Sequence, residues 1–223
     1  MRITPGVQDY VKAIYTLQQE EAPVSNGRLA AHFGFSAPAI TEMVKKLETL
    51  QLVDYQAREG VRLTEVGERI ALEMIRHHRL LELYLVEALG MSWDEVHVEA
   101  EVLEHFLSET LEERIATYLG NPQFDPHGAP IPARDGTLPQ RDSLSLASLD
   151  VGTRSIIVEV DDRDPERLRY LADIGLLPQT EIVLLERAPF DGPLTLQVGQ
   201  PPVERVLDSR LAARIQVQRG QPT

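Results

Sequence analysis

The 223-residue sequence predicts a mainly α protein with a small β domain at its C-terminal end. Three observations lead there. Apolar residues return at helical spacing in segment after segment between Pro5 and Leu119. The stretch from Gly120 to Arg141, GNPQFDPHGAPIPARDGTLPQR, then interposes five prolines and three glycines, which cannot continue a helix. Beyond it, SIIVEV, TEIVLLE, LTLQV and ARIQVQ are short β-branched runs of strand length.

Taken in order, Val7, Tyr10, Val11, Ile14 and Leu17 form the apolar stripe of a first helix after Pro5. Ser25 can cap a short helix to about His32, which Gly34 breaks, and Ser36 can cap another from Ala37 to about Leu50. LVDYQ and VRL, joined by AREG, read as a hairpin turning at Gly60. Three helices and a hairpin make a winged helix-turn-helix over residues 1–63. Thr64 can cap a long helix to about Leu89, stopped by Gly90. Ser92-Trp93-Asp94-Glu95 has the pattern of a capping box, which makes HVEAEVLEH at residues 97–105 helical. Ser108 can cap a further helix ended by Gly120, and these helices with the proline-rich loop form a second domain, residues 64–142. The strands, with a short helix from Pro165 to Ile174, form a third, residues 143–223.

The absence of cysteine excludes disulfides, thiolate zinc sites and cysteine nucleophiles, leaving oxygen and imidazole as the available ligands. No stretch reaches the roughly 18 apolar residues of a membrane span, and MRITPGVQDYVK has no signal-peptide core, so a soluble cytoplasmic protein is expected. A net charge of −13 would argue against nucleic acid, but it is unevenly spread. Residues 1–70 carry 8 Lys+Arg against 9 Asp+Glu, whereas residues 71–145 carry 5 against 14. His77, His78, His97 and His105 lie in that acidic middle, and carboxylate with imidazole suggests a cation partner.

Within HVEAEVLEH, a regular helix places His97, Glu101, Glu104 and His105 on one arc of about 100°. Val98, Val102 and Phe106 border it on one side and Ala100, Leu103 and Leu107 on the other, while Glu99 points away. Charged groups among apolar ones need either mutual pairing or a metal. His78 and Glu82, four residues apart, share a face of the long helix as an ion pair or as ligands. Asp9, beside the first apolar stripe, is a solvated acid or a ligand on the same terms.

The run MIRHHRLLELYLVEALGMSWDEVHVEAEVLEHFLSETLEERIATYL, with NPxxxPHGxPIP from Asn121 to Pro132 and LADIGLLPQTEIVLL, resembles the diphtheria toxin repressor family of metal-dependent transcription regulators. The resemblance covers nearly the whole chain. It implies a winged helix-turn-helix, a helical dimerisation and metal-binding domain, and a C-terminal SH3-like β-barrel. It implies a primary metal site at Asp9, Glu101, Glu104 and His105 and an ancillary one at His78, Glu82 and His97, with Glu159 and Asp162 the nearest candidates from the barrel. Alternatively, His78 joins the primary cluster in a two-metal arrangement. Asp9 and Glu101 stand where iron-responsive members have methionine and cysteine, which resembles the manganese-responsive branch. Hard carboxylate ligands suit Mn²⁺ independently of that likeness. About two ions per subunit are implied, Mn²⁺ or alternatively Fe²⁺, with Zn²⁺ or Cd²⁺ able to bind in vitro. Lys12 stands where manganese-responsive members without the barrel carry an acid.

Ser36, Pro38, Ala39 and Glu42 occupy the family's DNA-contact positions, and Arg28, Lys45, Lys46, Arg58 and Arg62 can reach phosphates. The expected function is a manganese-dependent repressor of metal-homeostasis genes, with an iron-dependent regulator as the alternative. Its partners are double-stranded operator DNA and a second copy of the chain, with no membrane and no small-molecule substrate. The rival is a metallohydrolase, because Glu101-x-x-Glu104-His105 is one residue from His-x-x-Glu-His. Glutamate at the first position departs from that signature, and the expectation is no enzyme.

Overall fold

In the computed structural model of the chain, which describes residues 3–220, helix α1 (Pro5–Gln18) starts with proline in its first turn, where a missing N–H costs nothing. Its buried face is Val7, Tyr10, Val11, Ala13, Ile14 and Leu17. The Ser25 side chain accepts from the Arg28 N–H at 3.2 Å to open α2 (Asn26–Phe33), and Gly34 closes it at φ +67. Helix α3 (Ala37–Thr49) follows, burying Ile40, Val44 and Leu47. Ser36 flanks it without a side-chain cap bond. Pro38, in the first turn, has no N–H to offer such a cap.

Strands β1 (Val53–Gln56) and β2 (Gly60–Leu63) pair antiparallel, with Gln56 opposite Gly60. The wing is tied down twice more. Val24 and Val61 exchange both backbone hydrogen bonds at 2.9 Å, and the Gln18 side chain accepts from the Leu63 N–H at 2.7 Å. Gly60 has φ +122, and a Cβ there would lie 2.4 Å from the Val24 carbonyl oxygen, so glycine is needed on both counts. Thr64 accepts from the Gly67 N–H at 3.2 Å and opens α4 (Glu65–Leu89).

The chain packs as two compact units. The first contains the chain to His78 with Leu103–Ser108 and Pro132–Thr137, and its core gathers Ile14, Leu29, Ile40, Leu47 and Val61. The second contains Arg79–Val102, Glu109–Ile131 and the chain from Leu138. It holds most of α5 (Val96–Leu103), then α6 (Glu109–Tyr118), the proline-rich loop apart from Pro132–Thr137, and the β domain.

The capping box expected at Ser92 is absent. The Ser92 hydroxyl donates to Asp94 instead, at 2.7 Å, and α5 begins only at Val96. Nor does α5 run through residue 105. It ends at Leu103, and Glu104–Phe106 form a 3₁₀ turn.

The β domain is an SH3-like, six-stranded antiparallel sheet in the order β3-β8-β4-β5-β6-β7. Its strands are β3 (Leu144–Ser145), β4 (Arg154–Val160), β5 (Glu181–Arg187), β6 (Leu194–Val198), β7 (Val203–Leu207) and β8 (Ile215–Arg219). Bulges between Ile157 and Glu159 and between Leu184 and Glu186 curve it around Leu146, Ile157, Leu168, Leu184, Leu196 and Val217. Helix α7 (Pro165–Asp173) is capped by Asp164, and a short α8 (Ser209–Ala212) precedes β8. Among the described residues, no helix is long and apolar enough to cross a membrane.

Candidate metal centres and nucleic-acid interface

Within the first unit, α1 and the 3₁₀ turn bring Asp9, Glu104 and His105 together, with one ligand atom from each lying within 4.8 Å of the others. Asp9 Oδ1 lies 3.0 Å from His105 Nε2, and His105 Nδ1 lies 3.0 Å from the Gln8 side-chain oxygen. The Glu104 side chain is fully buried. Its Oε2 accepts from His78 Nδ1 at 2.6 Å, and the Lys12 ammonium donates to Oε1 at 2.9 Å and to Oε2 at 2.8 Å. The Glu104 backbone carbonyl lies 3.2 Å from His77 Nδ1. Glu104 and His105 lie on the 3₁₀ turn that follows α5.

Glu101 stays on α5 in the second unit, its carboxylate 3.9 Å from His97 Nε2. Glu99 is exposed, as expected. His97 Nδ1 in turn lies 3.1 Å from Glu82 Oε1. The other Glu82 oxygen faces a group the sequence reading did not assemble: Glu82, Asp125, His127 and Asp162 place four ligand atoms within 4.8 Å of one another. His127 Nδ1 is 3.7 Å from Glu82 Oε2 and 4.0 Å from Asp162 Oδ2. Asp125 uses Oδ1 to accept the backbone N–H groups of His127 and Ala129, both at 2.9 Å, which holds the proline-rich loop in a tight turn. That leaves its Oδ2 for the cluster, 3.6 Å from Arg79 Nε. Glu159 is not one of the four. It lies on β4, where burial raises its pKa and the Arg79 and Arg141 charges oppose the rise.

Asp125 and His127 belong to NPxxxPHGxPIP, but a loop has no periodicity from which to infer where a side chain points. A chemical signal was available. His127 follows a carboxylate by two residues in an acidic, cysteine-free section.

Burial pushes the Asp125 carboxyl up to about 7, and the neighbouring Glu82 charge adds to it. For His127 burial alone would lower the value, but the Glu82, Asp125 and Asp162 carboxylates overcome it and raise the imidazole to about 9. Both clusters fit a hard divalent cation, being carboxylate and imidazole without sulfur. In the second, Asp125 Oδ2 and His127 Nδ1 are buried without a hydrogen bond, the condition a shared cation would relieve.

Also in the first unit, Ser36, Pro38, Ala39, Glu42, Lys45 and Lys46 are exposed at and along α3, and Arg58 and Arg62 are exposed on the wing. Ala37, Pro38, Thr41, Glu42 and Lys45 line an open depression there. Asn26 fixes its floor by donating to Thr41 Oγ1 and to the Tyr55 hydroxyl, both at 3.2 Å. Arg28 is engaged elsewhere: it donates to the carbonyls of Leu17 and Glu21 and to the Glu20 carboxylate at 2.6 Å, fastening α2 to the end of α1.

A winged helix-turn-helix joined to buried clusters of cation ligands defines a metal-responsive DNA-binding regulator. Three family models match the chain in order: the iron dependent repressor N-terminal DNA binding domain over residues 2–61, the iron dependent repressor metal binding and dimerisation domain over 64–133, and the FeoA domain over 144–219. The iron-dependent repressor IdeR of Mycobacterium tuberculosis is 31% identical over 195 residues, covering 82% of this chain and 84% of its own. The diphtheria toxin repressor of Corynebacterium diphtheriae is 27% identical over 224 residues, covering 93% and 95%. Among solved structures, a manganese-dependent transcriptional repressor in complex with manganese is 41% identical, with a TM-score of 0.89 over 96% of this chain and 100% of that one. ScaR with bound Cd²⁺ is 34% identical, with a TM-score of 0.81 over 95% and 98%. The chain belongs to the iron-dependent repressor family, that of the diphtheria toxin repressor, and is a metal-dependent transcriptional repressor, not an enzyme.

Proposed function

We propose that the effector is Mn²⁺ and that the protein acts in the cytoplasm as a homodimeric repressor of metal-homeostasis genes. One observation carries the reading: Asp9 on α1 and Glu104 and His105 on the 3₁₀ turn converge without any sulfur ligand. Asp9, Glu104 and His105 would hold one ion, and Glu82, Asp125, His127 and Asp162 a second. A bound divalent cation supplies positive charge that several carboxylates can share. With that charge present, Asp9 and the Glu104–His105 turn are drawn together and α1 is fixed. Without it, Glu104 stays paired with Lys12 and His78, and Asp9 meets the turn through His105. The position of α1 reaches the DNA-binding face through Tyr10, whose ring stacks on Phe33 at 4.2 Å just before the turn that opens α3. The dimer reading is supported by Val98, Val102, Leu111 and Tyr118, large apolar side chains that stay exposed on α5 and α6. Iron is the second reading, favoured by the 31% identity to an iron-dependent repressor.

The test is a titration of operator binding on genomic fragments with Mn²⁺, Fe²⁺, Zn²⁺ and Cd²⁺ at matched free concentrations. Binding is expected to rise with Mn²⁺ and to be lost in Asp9→Ala and Glu104→Ala with the melting transition retained. Equal binding without metal overturns the reading, and a response to Fe²⁺ at lower free concentration selects iron.

A further inference from the structure

The second cluster is assembled from segments far apart in sequence. Its geometry depends on how the loop from Asn121 to Pro132 meets β4. The His127 carbonyl accepts from the Val160 N–H at 2.9 Å, which sets His127 beside the end of β4, two residues before Asp162. Gly128 (φ +88) lies so close to the strand that a Cβ there would be 1.8 Å from the Val158 carbonyl oxygen. One side chain closes this junction. The Arg141 guanidinium lies 3.5 Å over the centre of the Phe124 ring, donates to the Gly128 carbonyl at 3.1 Å and also donates to the Val158 carbonyl. Loop ring, loop carbonyl and strand carbonyl are therefore held by one planar group. A lysine, with a single point of attachment and no stacking face, could not do this. The nearby Glu159 and Asp125 carboxylates offset the cost of burying the arginine charge.

We propose that Arg141 is a positioning residue for the second metal centre: it clasps the proline-rich loop to β4, so that His127 and Asp162 face each other only while the clasp is made. Cation binding and clasp formation then reinforce each other, because each favours the same arrangement of loop and strand. The proposal rests on reading Glu82, Asp125, His127 and Asp162 as a cation site.

The protein carries its own reporter for the test. Trp93 is the only tryptophan, and its ring stacks on that of His127 at 5.4 Å. Mn²⁺ is titrated into the full chain while free Mn²⁺ is counted by electron paramagnetic resonance and Trp93 fluorescence is recorded. Asp162→Asn is expected to abolish the phase that quenches Trp93. If it does not, the reading of the cluster fails. With that phase assigned, Arg141→Met is expected to weaken it about tenfold or more, as loss of a supporting group does at other metal sites, and to leave the Asp9–Glu104–His105 ion unchanged. Mn²⁺ should also slow hydrogen exchange at the Val160 amide in the native chain and not in Arg141→Met. Arg141→Lys should behave like Arg141→Met. Full recovery by lysine, or unchanged affinity in Arg141→Met, overturns the clasp while leaving the cluster standing. Should Arg141→Met lose cooperative melting, Phe124→Leu carries the test by removing only the stacked ring. A loss of about threefold is expected there, and no loss overturns the proposal.

Discussion

Lys12 stands one turn after Asp9 and holds both oxygens of Glu104, with His78 Nδ1 3.2 Å from the same ammonium. A cation recruited by Asp9, Glu104 and His105 must share Glu104 with that fixed charge, and like charges a few ångströms apart oppose binding. Lys12→Met is therefore expected to tighten the first ion by about tenfold, read from free Mn²⁺ in a titration. Weaker binding would show instead that the lysine serves mainly to place Glu104. His127 and Asp125 give the second residue-scale prediction. Both have folded-state pKa values, about 9 and about 7, above their ordinary values of 6.5 and 3.8. The stability each contributes to the metal-free protein is thus complete below the ordinary value and is lost as pH rises through 7 for Asp125 and 9 for His127. Cation binding takes both groups deprotonated, so it strengthens over the same range. The gap in melting temperature between Mn²⁺-loaded and metal-free protein is expected to widen from pH 6 to pH 9, and a constant gap would count against a cation at this cluster.

The start of α4 rests on a single close approach. A Cβ on Gly67 would lie 2.0 Å from the Leu52 carbonyl oxygen, which is backbone and cannot swing aside. Gly67→Ala should cost about 1–3 kcal/mol, measured as a lowered melting transition of the first unit. Such contacts are invisible to pattern reading, which sees a glycine in a helical run and no reason for it. What pattern reading does capture is periodicity and caps: the stripe from Val7 to Leu17, the Ser25 cap and the hairpin turning at Gly60 lie where spacing and turn chemistry put them. It failed where local bonds competed. Ser92 spent its hydroxyl on Asp94, and the turn at Glu104 tightened to 3₁₀, so the α-helix stops at Leu103 rather than running through His105. Strand β7, VERVL, exposes most of its side chains at a sheet edge and carries little apolar alternation to detect. For the same reason Asp125 and His127, in a loop, became ligand candidates only in three dimensions.

For the whole molecule, a net charge of −13 must be reconciled with DNA, and its distribution does so: residues 1–70 are nearly balanced, with the wing and α3 presenting Lys45, Lys46, Arg58 and Arg62 to solvent. If these reach phosphates, the salt slope of operator binding should fall by about one for each of Lys45→Ala and Lys46→Ala while the preferred sequence stays the same. Arg28→Ala should instead lower thermal stability, since its donors hold the end of α1. Chelation should abolish operator binding reversibly. The domain order was readable because family motifs recur along the chain in sequence, whereas the grouping of the second cluster depends on how loop and sheet meet. The wing, finally, is bridged to Val24 and bonded to Gln18 rather than projecting as a loose arm. If Arg58 and Arg62 reach a duplex, they do so from a surface that is already tied down, and little configurational entropy remains to be surrendered there on association.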